Sequence, residues 1–495
     1  MFKIINLLSK QDKRYLVILE SLFLKESQTI NDLMIVTNSS RKTIREDLQV
    51  INEFISPMFI KTSHDGCHLN SPPNIGIDYI YSCILQISKE YTFLEMIFFE
   101  KEKNIEAYAR KMYLSQSSIR RMITRINKQT KKYDFKISTA KLQLVGNEVH
   151  IYNTMIYYFK EKYIHQNYPF SKIQKKALNI LINYALKKYP KFNTMSDIYL
   201  LELIVLVSLV RIQNNHQIII SIDTEIDGFL AEVLEDKMLK ILFKSVFRIE
   251  LSKKNIIHLF YPFIKGEFAF TYEDVIKVTQ KHDKLKQYVE DTNRYIDNIA
   301  DILNIPISNK EQIIIEIFNL IILNAGNDYL LCNKKMFFLT HFSKDSPYIT
   351  NILYKEVEKN FFYLDNMTDN DKDQFIYSLV IHWKELSDKI YSFNPIYRVG
   401  IYMNWDVEHN LFINGVLSQH FLGRLTFEPI LANSYEEAQI IFQHYDFILT
   451  NISNLEADNI TFIICNEYPS VDDLYNISKM YLKLLSKQLL DNNYL

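Results

Sequence analysis

Two stretches near the N-terminus share one order of apolar and polar positions. In the first, an amphipathic helix begins near Gln11, and Thr29 is placed to cap the short helix that follows. Asn38 suits a tight turn, and Ser39 or Ser40 can cap a third helix. The apolar stripe of that third helix consists of Ile44, Leu48, Ile51 and Ile55. This succession predicts a helix-turn-helix unit that ends near residue 70.

The exposed face of this third helix is the first candidate DNA contact. Its candidate contact residues are Arg41, Lys42, Thr43 and Arg45. Three acidic residues on the same helix, Glu46, Asp47 and Glu53, are expected to cancel part of this positive charge. The first unit is therefore the weaker of the two candidate DNA contacts.

A hairpin is predicted directly after this helix. Asp65-Gly66 separates two short alternating runs, residues 59–62 and 67–69, which is typical of the wing of a winged helix. The potential metal ligands of this hairpin are His64, Asp65, Cys67 and His68. Ligands packed so closely on a two-stranded turn rarely complete a tetrahedron, so we expect a wing and no metal site.

The second stretch repeats the plan. Residues 105–112 predict the short helix, Leu114-Ser115 the turn and cap, and residues 116–129 a second recognition helix. The apolar stripe of this helix consists of Ile119, Met122, Ile123 and Ile126. Its candidate DNA contacts are Ser117, Ser118, Arg120, Arg121, Thr124, Arg125 and Lys128. A second hairpin is predicted from residues 135–137 and 142–144, with Lys141 available to a phosphate.

The charge distribution favours nucleic-acid binding by this part of the chain. Residues 1–150 hold 22 Lys and Arg against 16 Asp and Glu, a net charge of +6. The remaining residues hold 35 against 42 (57 − 22 and 58 − 16), a net charge of −7. A basic N-terminal part followed by an acidic remainder is the charge distribution expected of a nucleic-acid-binding protein. A structural or protein-binding role for either three-helix unit remains the alternative, because a basic helix face is often only solvated surface.

The middle of the chain predicts a duplicated helical body. Residues 195–197 and 307–309 each precede a long apolar helix, at a separation of 112 (307 − 195). Phe247 with Leu251-Ser252-Lys253 similarly matches Phe362 with Met367-Thr368-Asp369. These matches predict two copies of one all-α domain, and a scaffold for dimerisation is one interpretation of such a copied bundle. After residue 395, short apolar strands alternate with helices, which predicts a small α/β domain with a mostly parallel sheet.

Composition limits the remaining classes of protein. The four cysteines, Cys67, Cys83, Cys332 and Cys465, have neither metal nor redox spacing, which favours a reducing cytoplasm. The N-terminus lacks a signal-peptide pattern, and no apolar run is long enough for a membrane span. The sequence contains no P-loop, no Gly-x-Ser-x-Gly and no His-Glu-x-x-His motif. We therefore expect a cytoplasmic protein that is not an enzyme and has no cofactor.

The order of these parts resembles the Mga family of virulence regulators from low-GC Gram-positive bacteria. The local resemblance is carried by Arg110-Lys111, Tyr113-Leu114-Ser115, Arg120-Arg121, Asn127 and Leu144-Val145-Gly146-Asn147-Glu148. The resemblance implies a multidomain, predominantly α protein that binds promoter DNA and most often activates transcription. Its five expected domains are a first winged helix (1–72), a second, Mga-type winged helix (73–168), two helical domains like phosphotransferase-system regulation domains, or PRDs (169–285 and 286–395), and a tail like enzyme IIB (396–495).

The resemblance also implies regulation through histidines and a dimer. PRD histidines of the family are phosphorylated by sugar phosphotransferase proteins, which would be partners of this chain. The candidate phospho-acceptors here are His216, His382, His258 and His282. His216 matches the Arg-x4-His spacing from Arg211, whereas the more typical PRD histidine position is Ile204. One added phosphate carries about two negative charges, enough to bias a dimer interface.

Two other functions remain open from the sequence. An RNA-binding antiterminator is the main alternative, because duplicated PRDs also occur in that class. That class carries a short β-rich RNA-binding domain ahead of the PRDs, where this chain has about 150 residues of winged-helix pattern, without the aromatic platforms of RNA readers. A phosphotransferase enzyme would need the cysteine nucleophile of enzyme IIB, and Met403-Asn404-Trp405-Asp406 stands in that loop. We expect the tail to be an interaction or oligomerisation domain.

Overall fold

The computed structural model describes residues 7–25, 27–164, 171–188, 195–216, 229–260, 268–323, 329–361 and 368–491. The chain forms two compact units. One unit contains Met1–Val278 with Asn319–Asn333, and the other contains Thr279–Phe318 with Lys334–Leu495. The five-domain division remains a prediction within this arrangement.

The first N-terminal unit is a winged helix. Its elements are α1 (Lys10–Leu24), α2 (Ile30–Thr37), α3 (Arg41–Phe54), β1 (Phe59–Ser63) and β2 (Gly66–Asn70). The Thr29 hydroxyl accepts the N–H of Asp32 at 3.1 Å, and the Asp32 carboxylate accepts the N–H of Thr29 at 2.8 Å. Ser40 caps α3 by accepting the N–H of Thr43. The predicted start of each helix is confirmed, and β1 and β2 pair antiparallel as the predicted wing.

The second unit has the same arrangement with additional helices before and after it. Its elements are α4 (Ile77–Ile87), α5 (Lys89–Phe98), α6 (Ile105–Lys111), α7 (Gln116–Thr130), a 3-10 turn (Lys131–Tyr133), β3 (Phe135–Ile137), β4 (Leu144–Gly146) and α8 (Glu148–Tyr163). The predicted second hairpin is confirmed, but its returning strand begins at Leu144 and not at Leu142. Leu142 has a left-handed backbone, with φ +53°, and belongs to the turn.

The middle of the chain is helical, as predicted. The helices of its first part are α9 (Lys172–Lys188), α10 (Met195–Gln213), α11 (Phe229–Glu235), α12 (Lys237–Phe247), α13 (Lys253–Leu259) and α14 (Tyr272–Thr279). The second part contains α15 (Asp283–Leu303), α16 (Lys310–Leu323), α17 (Lys334–Asp345), α18 (Pro347–Asn360), α19 (Asp369–His382) and a 3-10 helix (Ser387–Phe393). The repeated starts are equivalent locally, since Ser252 caps α13 and Thr368 caps α19. Phe362 and Met367 of the predicted repeat lie outside the described residues.

The C-terminal domain is the predicted small α/β fold. Its elements are β5 (Tyr397–Ile401), α20 (Val407–His420), β6 (Leu425–Pro429), α21 (Tyr435–Phe442), β7 (Phe447–Thr450), β8 (Phe462–Ile464) and α22 (Val471–Asp491). The strand order is β6-β5-β7-β8, and every pair is parallel. Alternate residues of β7 enter two cores, because Phe447 and Leu449 pack in one cluster and Ile448 in the other. Both faces of the sheet are therefore covered.

Among the residues that the structure describes, no helix has both the length and the apolar character that crossing a membrane requires.

Candidate nucleic-acid interface

The second recognition helix, α7, separates its residues into a buried and an exposed face. The Ser115 hydroxyl accepts the N–H of Ser118 at 3.1 Å and so fixes the start of the helix. The four predicted apolar residues, Ile119, Met122, Ile123 and Ile126, are all buried. The exposed residues among the predicted contacts are Ser117, Arg120, Arg121, Thr124, Arg125 and Lys128, and Ser118 is half-buried. The structure therefore brings the predicted contacts together on one surface.

The cations on this surface differ in their availability. The guanidinium of Arg120 and the ammonium of Lys128 have no hydrogen-bond or ion-pair partner among the described residues. Arg121 donates only a long bond of 3.4 Å to the Ser118 hydroxyl. Arg125 forms an ion pair with Glu90 of α5, whose carboxylate is 9% exposed. Arg125 therefore fixes α7 to the rest of the unit, and its DNA contact remains a prediction.

The first recognition helix, α3, presents a weaker positive surface. Arg41, Lys42 and Arg45 are exposed and Thr43 is half-buried. Glu46 lies 3.9 Å from the Lys42 ammonium and offsets its charge. The expectation for Asp47 is wrong, since Asp47 is buried and receives a bidentate ion pair from Arg14 of α1. Its charge is directed into the unit and not toward a nucleic acid.

The sequences of the two recognition helices align at a shift of 75 residues. This shift brings the caps Ser40 and Ser115 into correspondence (115 − 40) and also Asn52 and Asn127 (127 − 52). At the same shift, the positions of Glu46, Val50 and Glu53 in the first helix are those of Arg121, Arg125 and Lys128 in the second. Two acidic residues are thus replaced by cations, which makes α7 the more favourable surface for phosphate.

A paired asparagine fixes each wing to its recognition helix. The Asn127 amide accepts the N–H of Ile137 at 2.7 Å and donates to the carbonyl of Ile137 at 3.0 Å. In the first unit, Asn52 forms the same two bonds with Ile60, at 2.7 and 2.9 Å. These bonds hold β3 against α7 and β1 against α3. Lys141, the predicted phosphate contact, is exposed in the turn of the second wing.

The comparisons with known proteins agree with this geometry. Residues 73–159 match the Mga helix-turn-helix domain. This matched segment, residues 73–159, is referred to as the Mga domain. A protein provisionally named a trans-acting regulator, from Streptococcus pneumoniae serotype 4, is 23% identical over 96% of this chain and 98% of its own length. The capsule synthesis positive regulator AcpA of Bacillus anthracis is 25% identical over 45% of each chain.

These findings confirm the predicted resemblance to the Mga family of transcription regulators. The chain is a transcriptional regulator with a DNA-binding helix-turn-helix domain. The Mga domain begins before α4 and ends within α8, so it contains α7, the second wing and both residues of the Arg125–Glu90 pair.

The candidate histidines have four different environments. His216 is half-buried, and its Nε2 lies 2.6 Å from the Glu100 carboxylate. His382 is half-buried, and its Nδ1 lies 2.7 Å from the carbonyl of Ser378. His258 is only 3% exposed, and burial lowers its pKa. His282 is exposed at the start of α15. Burial makes His258 the least accessible candidate for a phosphocarrier.

The environment of Cys465 in the C-terminal domain does not suit a catalytic thiol, in agreement with the sequence. Cys465 is buried next to the end of β8, and burial, with Asp473 and Glu467 nearby, raises its pKa to about 12. A thiol with this pKa is protonated at neutral pH and is a poor nucleophile. The absence of enzymatic activity itself remains a prediction.

Proposed function

We propose that this protein binds promoter DNA chiefly through α7 of the Mga domain and activates transcription. The observation that carries the proposal is the surface of Arg120, Arg121 and Lys128, three cations on one exposed helix face. Arg can bind guanine edges in the major groove, and Lys can neutralise phosphate. Activation is proposed because one relative is named a positive regulator.

Fluorescence anisotropy with three labelled ligands tests this proposal against the antiterminator alternative. The ligands are an AT-rich DNA duplex, an RNA duplex and a single-stranded RNA of equal length. We expect the DNA duplex to bind most tightly, and Arg120→Ala/Arg121→Ala to weaken that binding. Lys483→Ala/Lys487→Ala removes the same charge from exposed positions of α22 and is the matched control. Preferential binding of either RNA would contradict DNA recognition and favour the antiterminator.

We further propose that sugar phosphotransferase proteins tune this activity by phosphorylating PRD histidines. His216 is the first candidate because it matches the Arg-x4-His spacing from Arg211, and His382 is the next; both are half-buried, whereas His282 is exposed. The test is transfer of label from phosphoenolpyruvate through the purified phosphotransferase proteins. We expect incorporation to fall in His216→Ala or His382→Ala. Undiminished incorporation in a variant that lacks all four candidate histidines would refute the assignment.

A homodimer is the proposed assembly. The C-terminal domain exposes large apolar side chains, among them Trp405, Phe412, Tyr468 and Val471, which are 52 to 82% exposed. The rings of Phe412 and Tyr468 lie 6.4 Å apart, so part of this surface is contiguous. Sedimentation should give a dimer that Phe412→Asp shifts toward monomer. A wild-type protein that sediments only as a monomer at micromolar concentration would contradict the proposal.

A further inference from the structure

The end of α10 is connected to the second wing by a fully buried arginine. Arg211 is 0% exposed and donates from Nε and Nη2 to the two carboxylate oxygens of Glu148, at 3.0 and 2.5 Å. Its Nη2 also donates to the carbonyl of Leu144 at 3.0 Å. Leu144 begins β4, and Glu148 begins α8. One side chain of the helical body therefore contacts both the returning strand of the wing and the helix that follows it.

A second connection runs through Glu100 to the turn of the same wing. One oxygen of the Glu100 carboxylate lies 2.6 Å from Nε2 of His216, which is three residues beyond the end of α10 at Gln213. The other oxygen accepts a bond of 2.6 Å from the Gln143 side chain. His216 and Glu100 are 16% and 14% exposed, so water has little access to this chain of contacts. Glu100 thus links the helical body to the residue that precedes β4.

The two strands of the second wing consequently have different supports. Asn127 ties β3 to the recognition helix, whereas Arg211 and His216 tie β4 and its turn to the end of α10. The first wing is held within its own unit, where Gln28 and Cys67 exchange backbone bonds of 2.8 and 3.1 Å. A small displacement of α10 relative to α7 would therefore change the shape of the second hairpin but not that of the first.

We propose that Arg211 and His216 are positioning residues through which the first helical domain sets the conformation of the DNA-contacting wing. This inference rests on the proposed DNA-binding function. Lys141 lies exposed in the turn of this wing, and release of the wing would leave its position unfixed. A phosphoryl group on Nε2 of His216 would occupy the atom that faces Glu100 and would add a negative charge beside a carboxylate. Modification at this atom would therefore release the wing.

The test uses full-length protein and a double-mutant cycle on His216 and Gln143. Each of His216→Ala and Gln143→Ala is expected to weaken duplex DNA binding by about three- to tenfold, the effect of one lost hydrogen bond. The double variant should bind no more weakly than either single variant, because both residues act through Glu100. His216→Gln keeps a donor for Glu100 and should restore much of the affinity. His341→Ala, on α17, is the control histidine.

Hydrogen exchange in the DNA-free protein gives an independent measurement. His216→Ala should increase exchange over residues 138–146 and leave residues 59–70 unchanged. An unchanged second wing in both His216→Ala and Gln143→Ala would overturn the inference, whatever the DNA affinity. Wild-type protein that fails to bind duplex DNA, while His216→Ala still loosens the second wing, would refute the proposed function and leave the connection standing. Arg211 is not varied in this test because its complete burial makes misfolding the expected result.

Discussion

The asparagine that joins α7 to β3 offers a quantitative prediction. Asn127→Ala removes both the acceptor for the Ile137 N–H and the donor to the Ile137 carbonyl. Ile137 is 1% exposed, so water replaces neither bond without an opening of the hairpin. At roughly 1 kcal/mol for each bond, the free energy of local opening should fall by about 2 kcal/mol. This change corresponds to about 30-fold faster exchange of the wing amides.

Hydrogen–deuterium exchange with peptide resolution measures this effect without requiring two-state unfolding of a multidomain chain. The peptides of interest cover residues 134–147 and 58–71, one for each wing. Asn52→Ala is the matched control, because Asn52 forms the same pair of bonds with Ile60 of the first wing. Each substitution should accelerate exchange only in its own wing. An unchanged second wing in Asn127→Ala, or equal loosening of both wings, would refute the reasoning.

Three further substitutions have expected outcomes. Gly146 has φ +133°, and an added Cβ would lie 2.2 Å from the Asp134 carbonyl oxygen. Gly146→Ala should therefore disrupt the β3–β4 pairing and lower the thermal midpoint. At Gly415 on α20, an added Cβ would meet nothing within 4 Å, so Gly415→Ala should stabilise the protein by about 1 kcal/mol. Burial raises the pKa of Glu161 to about 7, so its folded form retains a proton that the unfolded chain releases near 4.5. The stability of the wild type relative to Glu161→Gln should therefore fall as pH rises from 4.5 to 7, and thermal midpoints that differ by a constant amount across this range would contradict the shift.

Local patterns predicted most of the elements that form the candidate site. Serine and threonine caps followed by an apolar stripe are local signals, and Thr29, Ser40 and Ser115 begin helices as expected. The shift of β4 from Leu142 to Leu144 was not predictable from alternation. Both leucines are buried, and a displacement of two residues leaves every side chain on the same face of a strand.

The ion-pair partners of charged residues were not predictable from local sequence patterns. Asp47 and Arg14 are separated by 33 residues, and Glu148 and Arg211 by 63. A helical pattern shows which face of a helix is apolar, but it does not show which distant helix packs against that face. The sequence therefore placed Asp47 on the exposed surface, whereas tertiary packing directs it to Arg14. The connection from α10 to the second wing depends on the same kind of long-range packing.

The most direct test of the account is the salt dependence of DNA binding after two cations of α7 are replaced by the acidic residues of α3. Arg121→Glu/Lys128→Glu gives α7 the residues that α3 has at the corresponding positions, Glu46 and Glu53. The slope of log affinity against log salt should become shallower by about two, whereas Lys483→Glu/Lys487→Glu, of equal charge change, should leave it unchanged. An unchanged slope in the α7 variant, with binding intact, would contradict the claim that the Mga domain's recognition helix is the principal DNA contact.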